Sequence, residues 1–364
     1  MQQRATITHV AQRAGVSIAS ASRALNGMTA SAATIDKVRA AASELGYIPD
    51  ATARALKMGR TLQLAFAVDD IGNPVYVEMM KAIQAVVAAG GYRLMISTTG
   101  DASETVDLLR SLSKGYADGM ILSPLRVTDA LVEEIRSAPV PVVIIGRMPE
   151  GSGIDTVMTD SAAGIALAVE HLLEEGRNRI GFVNGPPDTT PGAARKRGFD
   201  AAVAAHRAAT HDAVSAATHD AVSAATHDAV SAGDLTVNAA DFTVSAGHDA
   251  ARTLLDRHCA EQPLDAIVAA NDLLAIGVLH AAHDLGVAVP EELAVVGMDD
   301  TELAQVFQPT LTSVNLGSSE RGTRAAELLL ARLRDPGREA TTVVVPPELK
   351  VRRSTQPLTR KGAR

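Results

Sequence analysis

The longest part of the chain, residues 62–345, alternates short apolar runs rich in β-branched residues with longer segments whose apolar positions have helical spacing. This alternation is typical of parallel sheets whose strands are joined by helices packed against them. The pattern therefore predicts an α/β body of two lobes. The predicted strands are Leu62–Val68, Arg93–Thr98, Gly119–Leu122, Val140–Ile145, Arg179–Val183, Leu235–Val237, Ala266–Ala269, Leu293–Val296 and Thr342–Val345.

The N-terminal residues show a different pattern, with apolar positions spaced for three short helices. Thr8 is predicted to cap the first helix, and Gly15 to supply a turn that tolerates positive φ. Ser17 is predicted to cap the second helix, which runs to about Asn26–Gly27. A third helix is expected from a cap at Thr34 to Gly46 and completes a small helical head.

The spacing between the first two predicted helices indicates a helix-turn-helix. A small residue at Ala11, a glycine four positions later and an apolar residue at Val16 allow two helices to cross closely at about 90–120°. This geometry places the second helix in a DNA major groove. The residues of that helix expected to face outward are Ile18, Ala19, Ser22 and Arg23.

Arg23 has the chemistry to read a base, since its guanidinium matches guanine O6 and N7, while Ile18 and Ala19 offer apolar contact to thymine methyls. Alternatively, Arg23 is a solvated arginine or a phosphate anchor. The residues predicted to lie at the DNA, including those of the segment described next, are Thr8, Ser17, Ile18, Ala19, Ser22, Arg23, Asn26, Ala53, Arg54, Leu56 and Lys57.

The segment after the head, residues 49–60, is predicted to hold one conditional helix. Pro49 ends the preceding helix, Asp50 is a potential cap, and Ala51 to Met58 form two turns. Eight residues are too few for a stable isolated helix in water. Leu56 is therefore expected to act as an apolar wedge in the minor groove once DNA orders the segment. The alternative is a plain linker with Leu56 packed on the body.

Charge is distributed unevenly along the chain. Residues 1–60 carry eight Lys/Arg and three Asp/Glu, a net +5, whereas the remaining 304 residues carry 26 bases and 39 acids, a net -13. A basic head on an acidic body indicates that only the head meets a polyanion. Chance clustering of charge is the alternative interpretation.

Several classes of protein lack support in the sequence. No apolar run approaches the roughly 18 residues of a membrane helix, the N-terminus has no secretory signal, and the chain has one cysteine. We therefore expect a cytoplasmic protein. The chain has no phosphate-binding loop, GxSxG elbow, HExxH motif or Cys/His metal spacing, so we expect neither an enzyme nor a cofactor or metal. A solute-binding transport protein and an α/β enzyme are the alternatives.

Polar residues follow many of the predicted strands, and the carboxyl ends of parallel strands are where ligands bind. Two facing lobes would bring these residues into one cleft. They are Asp69, Asp70, Ser123, Arg147, Asn184, Asn271, Asp272, Asp299 and Asp300.

Arg195 and Asp272 are the leading candidates for binding a small molecule. A guanidinium and a carboxylate can hold vicinal hydroxyls through paired hydrogen bonds. With no tryptophan, four tyrosines and five phenylalanines in the chain, aromatic stacking must be sparse, which favours a hydroxyl-rich effector over a flat heterocycle. The alternative is an interlobe salt bridge without a ligand.

Motifs along nearly the whole chain carry a family resemblance. They are VAQRAGVS and SRALNG in the head, YIPDATARALKMGRT after it, and in the body NPVYVEMM (73–80), YADGMILSP (116–124), Arg195 with Phe199, AANDLLAIGVLHAAHDLGVAVPEELAVVGMDD (269–300) and PTLTSVN (309–315). In these motifs the chain resembles the lactose and purine repressor family of bacterial transcription factors.

The resemblance implies a DNA-binding head, a hinge helix whose leucine, here Leu56, enters the minor groove, and a periplasmic-binding-protein-like body that binds an effector and dimerises. It also implies that Arg195 and Asp272 contact the ligand and that Phe242 stacks on it. We therefore expect a homodimer on a near-palindromic double-stranded operator, repressing transcription under control of a sugar or sugar derivative. The effector-binding candidates are Asn73, Tyr76, Arg147, Asp160, Arg195, Phe242, Asn271 and Asp272.

The expected domains are a head at residues 1–48, a hinge at 49–60, a body at 61–345 and a C-terminal strand with a basic tail at 346–364. Within the body, the first lobe is expected to combine about 61–160 with 292–320, and the second about 161–291 with 321–345. Residues 209–232 are three perfect copies of ATHDAVSA, which either prolong the preceding helix or form a loop. The tail has no heptads, so a dimer is expected.

Overall fold

The computed structural model describes residues 5–25, 29–48, 59–100, 102–112, 115–217, 235–258 and 263–356. The chain divides into two compact units, residues 1–62 and 63–364.

The first unit contains three short helices around a small core. Helix α1 spans Ile7–Ala14, α2 spans Ile18–Leu25 and α3 spans Ala32–Glu44. Gly15 ends α1 at φ +67°, a conformation that favours glycine, and so permits the tight turn into α2. The core residues include Val10 and Val38, both fully buried. This arrangement confirms the predicted three-helix head.

Two of the predicted helix caps are wrong by part of a turn. Thr6, whose backbone is extended, precedes α1, and its N–H donates to His9 Nδ1 at 3.2 Å, whereas Thr8 lies exposed within the helix. Ser31, not Thr34, caps α3, and its Oγ accepts the Thr34 N–H at 3.3 Å. A cap residue needs non-helical backbone, and these threonines are already helical. The cap at Ser17 is confirmed, since its Oγ accepts the Ser20 N–H at 3.1 Å.

The second unit alternates strands and helices throughout. In chain order its elements are β1 Gln63–Val68, α4 Pro74–Ala89, β2 Arg93–Thr98, α5 Ala102–Leu112, β3 Gly119–Ser123, α6 Asp129–Ser137, β4 Val142–Ile145, β5 Asp155–Thr159, α7 Ser161–Glu174, β6 Ile180–Asn184, α8 Thr190–Ala217, β7 Thr236–Asn238, α9 Val244–Arg257, β8 Ala266–Ala269, α10 Asp272–Asp284, β9 Ala294–Met298, α11 Glu302–Val306, β10 Thr312–Asn315, α12 Ser318–Arg334, β11 Thr342–Val345 and β12 Glu348–Lys350.

The strands form two sheets, and each sheet is the centre of one lobe. The first sheet has the order β11-β5-β4-β3-β1-β2 with every pair parallel. The second has the order β12-β10-β9-β8-β6-β7 and is parallel except where β12 pairs antiparallel with β10. The central strands are buried on both faces, which explains their continuous apolar runs.

The sheets correct the predicted composition of the lobes. Strands β9 and β10 belong to the second sheet, although residues 292–320 were expected in the first lobe. Strand β11 belongs to the first sheet, and α12 packs against β3, β4 and β5 of the same lobe, although 321–345 were expected in the second. The error has a physical cause, because a hydrophobic run predicts a strand but does not specify its partner strands.

The chain passes between the two lobes at three places within the described residues. The crossings follow β5, β10 and β11, at residues 159–161, 315–318 and 345–348. Each lobe is therefore built from separate stretches of the sequence.

The octapeptide repeat begins inside a helix. Helix α8 continues to Ala217 and so includes the first copy, residues 209–216, as the helix-prolonging interpretation predicts for that copy. The other two copies lie almost entirely outside the described residues. Among the residues that are described, no helix is long and apolar enough to span a membrane.

Candidate functional site

A cleft lies between the two lobes of the second unit. It encloses about 1040 Å³ of empty space, including the part open to solvent. Six of the nine polar residues noted at strand ends line the cleft. The strand-end residues that line the cleft are Asp69, Asp70, Ser123, Arg147, Asn271 and Asp299, whereas Asn184, Asp272 and Asp300 do not.

Arg195 reaches the cleft from helix α8, one turn before a large core residue. Phe199 stacks on Phe182 with ring centroids 4.8 Å apart and holds α8 against the second sheet. The Arg195 side chain is only 7% exposed, and its Cζ lies 5.9 Å from the centroid of the Phe242 ring. This distance is within the range of a cation–π contact, so Phe242 both lines the cleft and supports Arg195.

Asp299 faces Arg195 from the end of β9. One oxygen of its buried carboxylate, Oδ1, lies 3.7 Å from Arg195 Nη2. Its backbone adopts φ +104°, a strained conformation for a non-glycine residue, and its N–H donates to the Val314 carbonyl at 2.8 Å. The neighbouring Asp300 is fixed by ion pairing with Arg352. The position of Asp299 after a predicted strand indicated it, but the effector-binding candidates predicted from the sequence did not include it.

Arg321 is a cleft residue that sequence reasoning missed. It lies in the second turn of α12, belongs to the first lobe and is 8% exposed. Burial lowers the pKa of its guanidinium to about 10, against the opposing influence of Asp299. A signal was present, because Arg321 falls on the same helical face as the buried Ala325 and Leu329 at positions i+4 and i+8.

The glycine after Arg321 allows α12 to approach α4 closely. A Cβ at Gly322 would lie 2.7 Å from the carbonyl oxygen of Met79, a distance that real Cβ atoms do not adopt. The close contact brings Arg321 and Tyr76, one turn before Met79 on α4, to the same part of the cleft lining. Burial and the nearby Asp69 and Asp299 raise the pKa of Tyr76 well above its usual value, so it is a neutral hydrogen-bonding group.

Asp272 does not line the cleft, contrary to the pairing with Arg195 expected from the sequence. Its Oδ2 accepts from the N–H and Oγ1 of Thr301 at 2.7 and 2.9 Å, and its Oδ1 accepts from Ser313 Oγ at 2.6 Å. Burial, with Asp299 nearby, raises the pKa of Asp272 to about 7. The carboxylate thus connects α10, β10 and the segment after Asp299.

Asp160 likewise makes hydrogen bonds within the fold. Its Oδ1 accepts the N–H groups of Ala162 and Ala163 at 3.1 and 3.0 Å and so caps α7, and it does not line the cleft. Asn271 caps α10 in the same way, with Oδ1 accepting the Leu274 N–H at 2.8 Å, but it does line the cleft. Asn73 caps α4 and also lines the cleft, as does the exposed Arg147.

A second group of charges in the cleft is acidic and comprises Asp69, Asp70 and Asp241. Partial burial and the proximity of Asp241 raise the pKa of Asp69, whereas Arg126 opposes this effect. Asp69 belongs to the first lobe and Asp241 to the second, so the two lobes present like charges to each other. The exposed ion pair between Arg126 Nε and Asp188 Oδ2, at 2.7 Å, joins the same lobes.

The head presents most of its predicted DNA-facing residues to solvent. Ile18 is 51% exposed, and Ala19 and Arg23 are also exposed, with Arg23 Nη2 donating to Ser20 Oγ at 3.3 Å. Ser22 does not face outward as predicted, because it is 8% exposed and lies with Ala21 and Ala24 on the buried side of α2. Thr8 and Ser17 are exposed. The candidates Asn26, Ala53, Arg54, Leu56 and Lys57 lie outside the described residues.

Within the described ranges, no group of three or more His, Cys, Asp or Glu side chains is arranged to hold a metal ion. The first unit offers the exposed face of α2 with Arg23, and the second a cleft that contains the buried Arg195, Asp299 and Arg321. Together, a helix-turn-helix and a two-lobed ligand cleft define a DNA-binding regulator that responds to a small molecule.

Comparison with known proteins identifies the family. Residues 6–50 match the bacterial regulatory proteins of the lacI family, 61–232 match the periplasmic binding proteins and sugar binding domain of the LacI family, and 169–355 match a periplasmic binding protein-like domain. The ribose operon repressor of Escherichia coli (strain K12) is 30% identical over 335 residues, 91% of this chain and 94% of the repressor.

Solved structures have the same fold. A complex of the transcriptional regulator CelR with cellobiose superposes with a TM-score of 0.67 at 30% identity, covering 96% of this chain and all of CelR, 100%. A lac repressor dimer bound to operator and the anti-inducer ONPF has a TM-score of 0.78 at 23% identity, covering 97% of this chain and 99% of that one. The chain belongs to the LacI family of bacterial transcriptional regulators. It is a DNA-binding regulator of transcription controlled by a small effector.

Proposed function

We propose that this chain acts as a homodimeric repressor in the bacterial cytoplasm, where two copies of α2 read the half-sites of a near-palindromic operator. The observation that carries the proposal is the outward face of α2, where Ile18 is 51% exposed beside the exposed Arg23. A large apolar side chain in water next to a cation suits contact with thymine methyls and guanine edges. The positive charge of residues 1–60 adds attraction to phosphates.

We infer that the effector is a small hydroxylated molecule, a sugar or sugar derivative, held in the cleft by residues of both lobes. Carboxylates and an amide, as in Asp69, Asp241 and Asn73, accept and donate the hydrogen bonds that hydroxyls make, and Phe242 offers one apolar face. The ribose operon repressor is named for a sugar operon and CelR was solved with cellobiose, which supports a sugar-like effector here.

Control of DNA binding then follows from a difference in effector affinity between two arrangements of the lobes. An effector that contacts both lobes favours the arrangement in which those contacts form together. If that arrangement holds the two heads of a dimer at another spacing, operator affinity changes by the same coupling free energy, typically about 1–3 kcal/mol. No step of this scheme needs catalysis by the chain.

Binding of the full chain to a labelled DNA fragment from upstream of its own gene, followed by fluorescence anisotropy, tests the proposal. We expect binding that survives an excess of unrelated DNA, weakens steeply as salt is raised, and shows two copies per site. Addition of a panel of sugars and sugar derivatives should shift the binding curve for at least one compound. Equal affinity for unrelated DNA, or one copy per site, contradicts the proposal.

A further inference from the structure

The two buried arginines of the cleft share one carboxylate. Arg195 is on α8 in the second lobe and Arg321 on α12 in the first, and both line the cleft at 7% and 8% exposure. Asp299 is the acidic residue of the lining that acts on both of them. We call these three residues the arginine cluster. Its formal charge is +1 in a place from which most water is excluded, and burying unbalanced charge is costly.

Other acidic groups near the cluster do not supply the missing charge. Asp272 also acts on Arg195, but its oxygens are already bound by Thr301 and Ser313, and burial raises its pKa to about 7. Asp69, Asp70 and Asp241 are not among the groups that shift the pKa of Arg195, Arg321 or Asp299. The half-buried Glu78, whose pKa Asp299 raises, does not line the cleft.

Hydrogen-bond donors in the same region lack acceptors. Among the described residues, Nε of Arg195 and Nε of Arg321 are buried without any partner, and so is Oγ1 of Thr159, which also lines the cleft. A buried donor left unsatisfied costs about 1–3 kcal/mol, so native proteins pair such groups with protein, water or ligand. Arg195, Arg321 and Thr159 line the same cleft, and their unpaired donors are best satisfied by a ligand with two or more acceptor oxygens.

We propose that the effector carries a single carboxylate, as in an aldonic or uronic sugar acid, and that this carboxylate lies between Arg195 and Arg321. The inference rests on the proposed function and specifies its effector. One added negative charge gives two cations and two anions with Asp299, and a carboxylate supplies the oxygens that the orphaned donors need. The hydroxyls of the molecule then face the acidic residues Asp69, Asp70 and Asp241, which would repel a second anionic group.

The charge count separates a carboxylate from a phosphate ester. A phosphate monoester carries a charge of about -1.5 to -2 at pH 7, which would leave the cluster with an excess of negative charge. A neutral sugar would leave the cluster with its net charge of +1. The test is isothermal titration calorimetry of the full chain, which measures the affinity for ribose, glucose and galactose. These affinities are compared with those for the corresponding aldonic acids, uronic acids where these exist, and terminal phosphates.

We expect at least one acid to bind ~10-fold or more tightly than its parent sugar and its phosphate, because charge-assisted hydrogen bonds add to the neutral contacts. The Arg321→Met variant should lose this advantage and bind the acid about as weakly as the parent sugar. Arg324→Met is the matched control, since Arg324 lies on the same helix but is exposed and paired with Glu320 and Glu327. It should keep the affinity of the original chain.

A second measurement needs no ligand. Without effector, Arg321→Met should leave the thermal midpoint unchanged or raise it by about 1–3 °C, because Asp299 keeps Arg195 as a partner and one surplus charge is removed. A clear fall of the midpoint would show that Arg321 is a structural counter-charge and would overturn the inference, as would unchanged acid affinity in this variant.

The outcomes also separate this inference from the proposed function. The carboxylate is excluded if a parent sugar or a phosphate binds more tightly than every acid, or if no acid binds. The proposed function still stands in that case if another compound releases the chain from its operator. If no DNA fragment is bound specifically, the proposed function fails whatever the calorimetry shows.

Discussion

The candidate recognition residues of the head and those of the cleft lie in opposite environments. Ile18 of the head is 51% exposed and Arg23 is exposed, whereas Arg195 and Asp299 of the cleft are 7% and 5% exposed. A DNA duplex supplies its own charges and meets a solvated surface. A small effector is instead enclosed by the cleft between the lobes. The residues that bind it are therefore largely shielded from water even before it binds.

This difference predicts how each region responds to substitution. In the cleft, binding groups are also packed against the core, so changes there should lower stability as well as effector binding, except where, as in Arg321→Met, the change removes a surplus buried charge. On the outward face of α2, the same type of residue contributes little to stability, and changes should alter operator binding alone.

The largest effect is expected for Asp272→Ala. The change removes the acceptor of three buried hydrogen bonds from Thr301 and Ser313, and we expect a loss of about 3 kcal/mol in the free energy of unfolding. Denaturant unfolding measures it, with the exposed Asp107→Ala as control. Effector affinity should fall as well, because the segment holding Asp299 loosens. An unchanged unfolding midpoint combined with lost effector binding would instead make Asp272 a ligand contact.

A smaller loss is expected for Gly322→Ala. The new Cβ would lie 2.7 Å from the Met79 carbonyl oxygen, so α12 must move away from α4, at a cost of about 1–3 kcal/mol. The shift should also displace Arg321 and weaken effector binding. Gly337→Ala is the matched control, since its nearest neighbour, Asp335 Oδ1, is 3.7 Å from the added Cβ. Equal midpoints for the two variants would contradict the tight helix contact.

The pH dependence of stability provides a third test in the cleft. Burial raises the pKa of Asp272 to about 7 from an ordinary 3.8, so the folded chain binds a proton that the unfolded chain releases between these values. Stability attributable to Asp272 should therefore fall as pH rises from about 4 to 7, by at most ~1.4 kcal/mol per pH unit. The slope should be shallower in Asp272→Asn. A slope that is unchanged in this variant would assign the proton to other groups.

The smallest effect on stability is expected for Arg23→Ala, within about ±0.5 kcal/mol. Operator affinity should nevertheless fall by about 1–3 kcal/mol, with preference relaxed at one base position in each half-site. Arg39→Ala, an exposed arginine on α3, removes the same charge and is the control. Uniform weakening on all sequences would make Arg23 a phosphate contact, and marked destabilisation would remove the contrast between head and cleft.

The sequence predicted most of the architecture because local patterns determined it. The head contains three helices, and the strands Arg93–Thr98, Ala266–Ala269 and Thr342–Val345 were predicted with the bounds observed. Strand β5, with the sequence DTVMT, and β10, with TSVN, were not predicted from the pattern because their threonines, asparagine and aspartate weaken the apolar signal. Partner strands could not be predicted, since pairing depends on contacts between distant parts of the chain.

The cleft was predicted less completely for a related reason. The strand-end rule placed Asp69 and Asp299 in the cleft, but spacing cannot show which way a carboxylate points. Asp272 satisfies Thr301 and Ser313, whereas Asp299, at φ +104°, faces Arg195. Arg321 was missed because a single arginine in an amphipathic helix resembles a surface residue until its neighbours are known to be buried.

The three crossings between the lobes have a consequence for how such proteins can be altered. Because each lobe is assembled from separated stretches of sequence, no contiguous segment contains all strands of one sheet without strands of the other. A chimaera that exchanges one lobe would need junctions at all three crossings at once. Recombination at one point is therefore better suited to exchanging the head, residues 1–62, than to exchanging half of the cleft. New effectors must then arise chiefly by substitution within the cleft, and new operators can be acquired by exchange of a whole head.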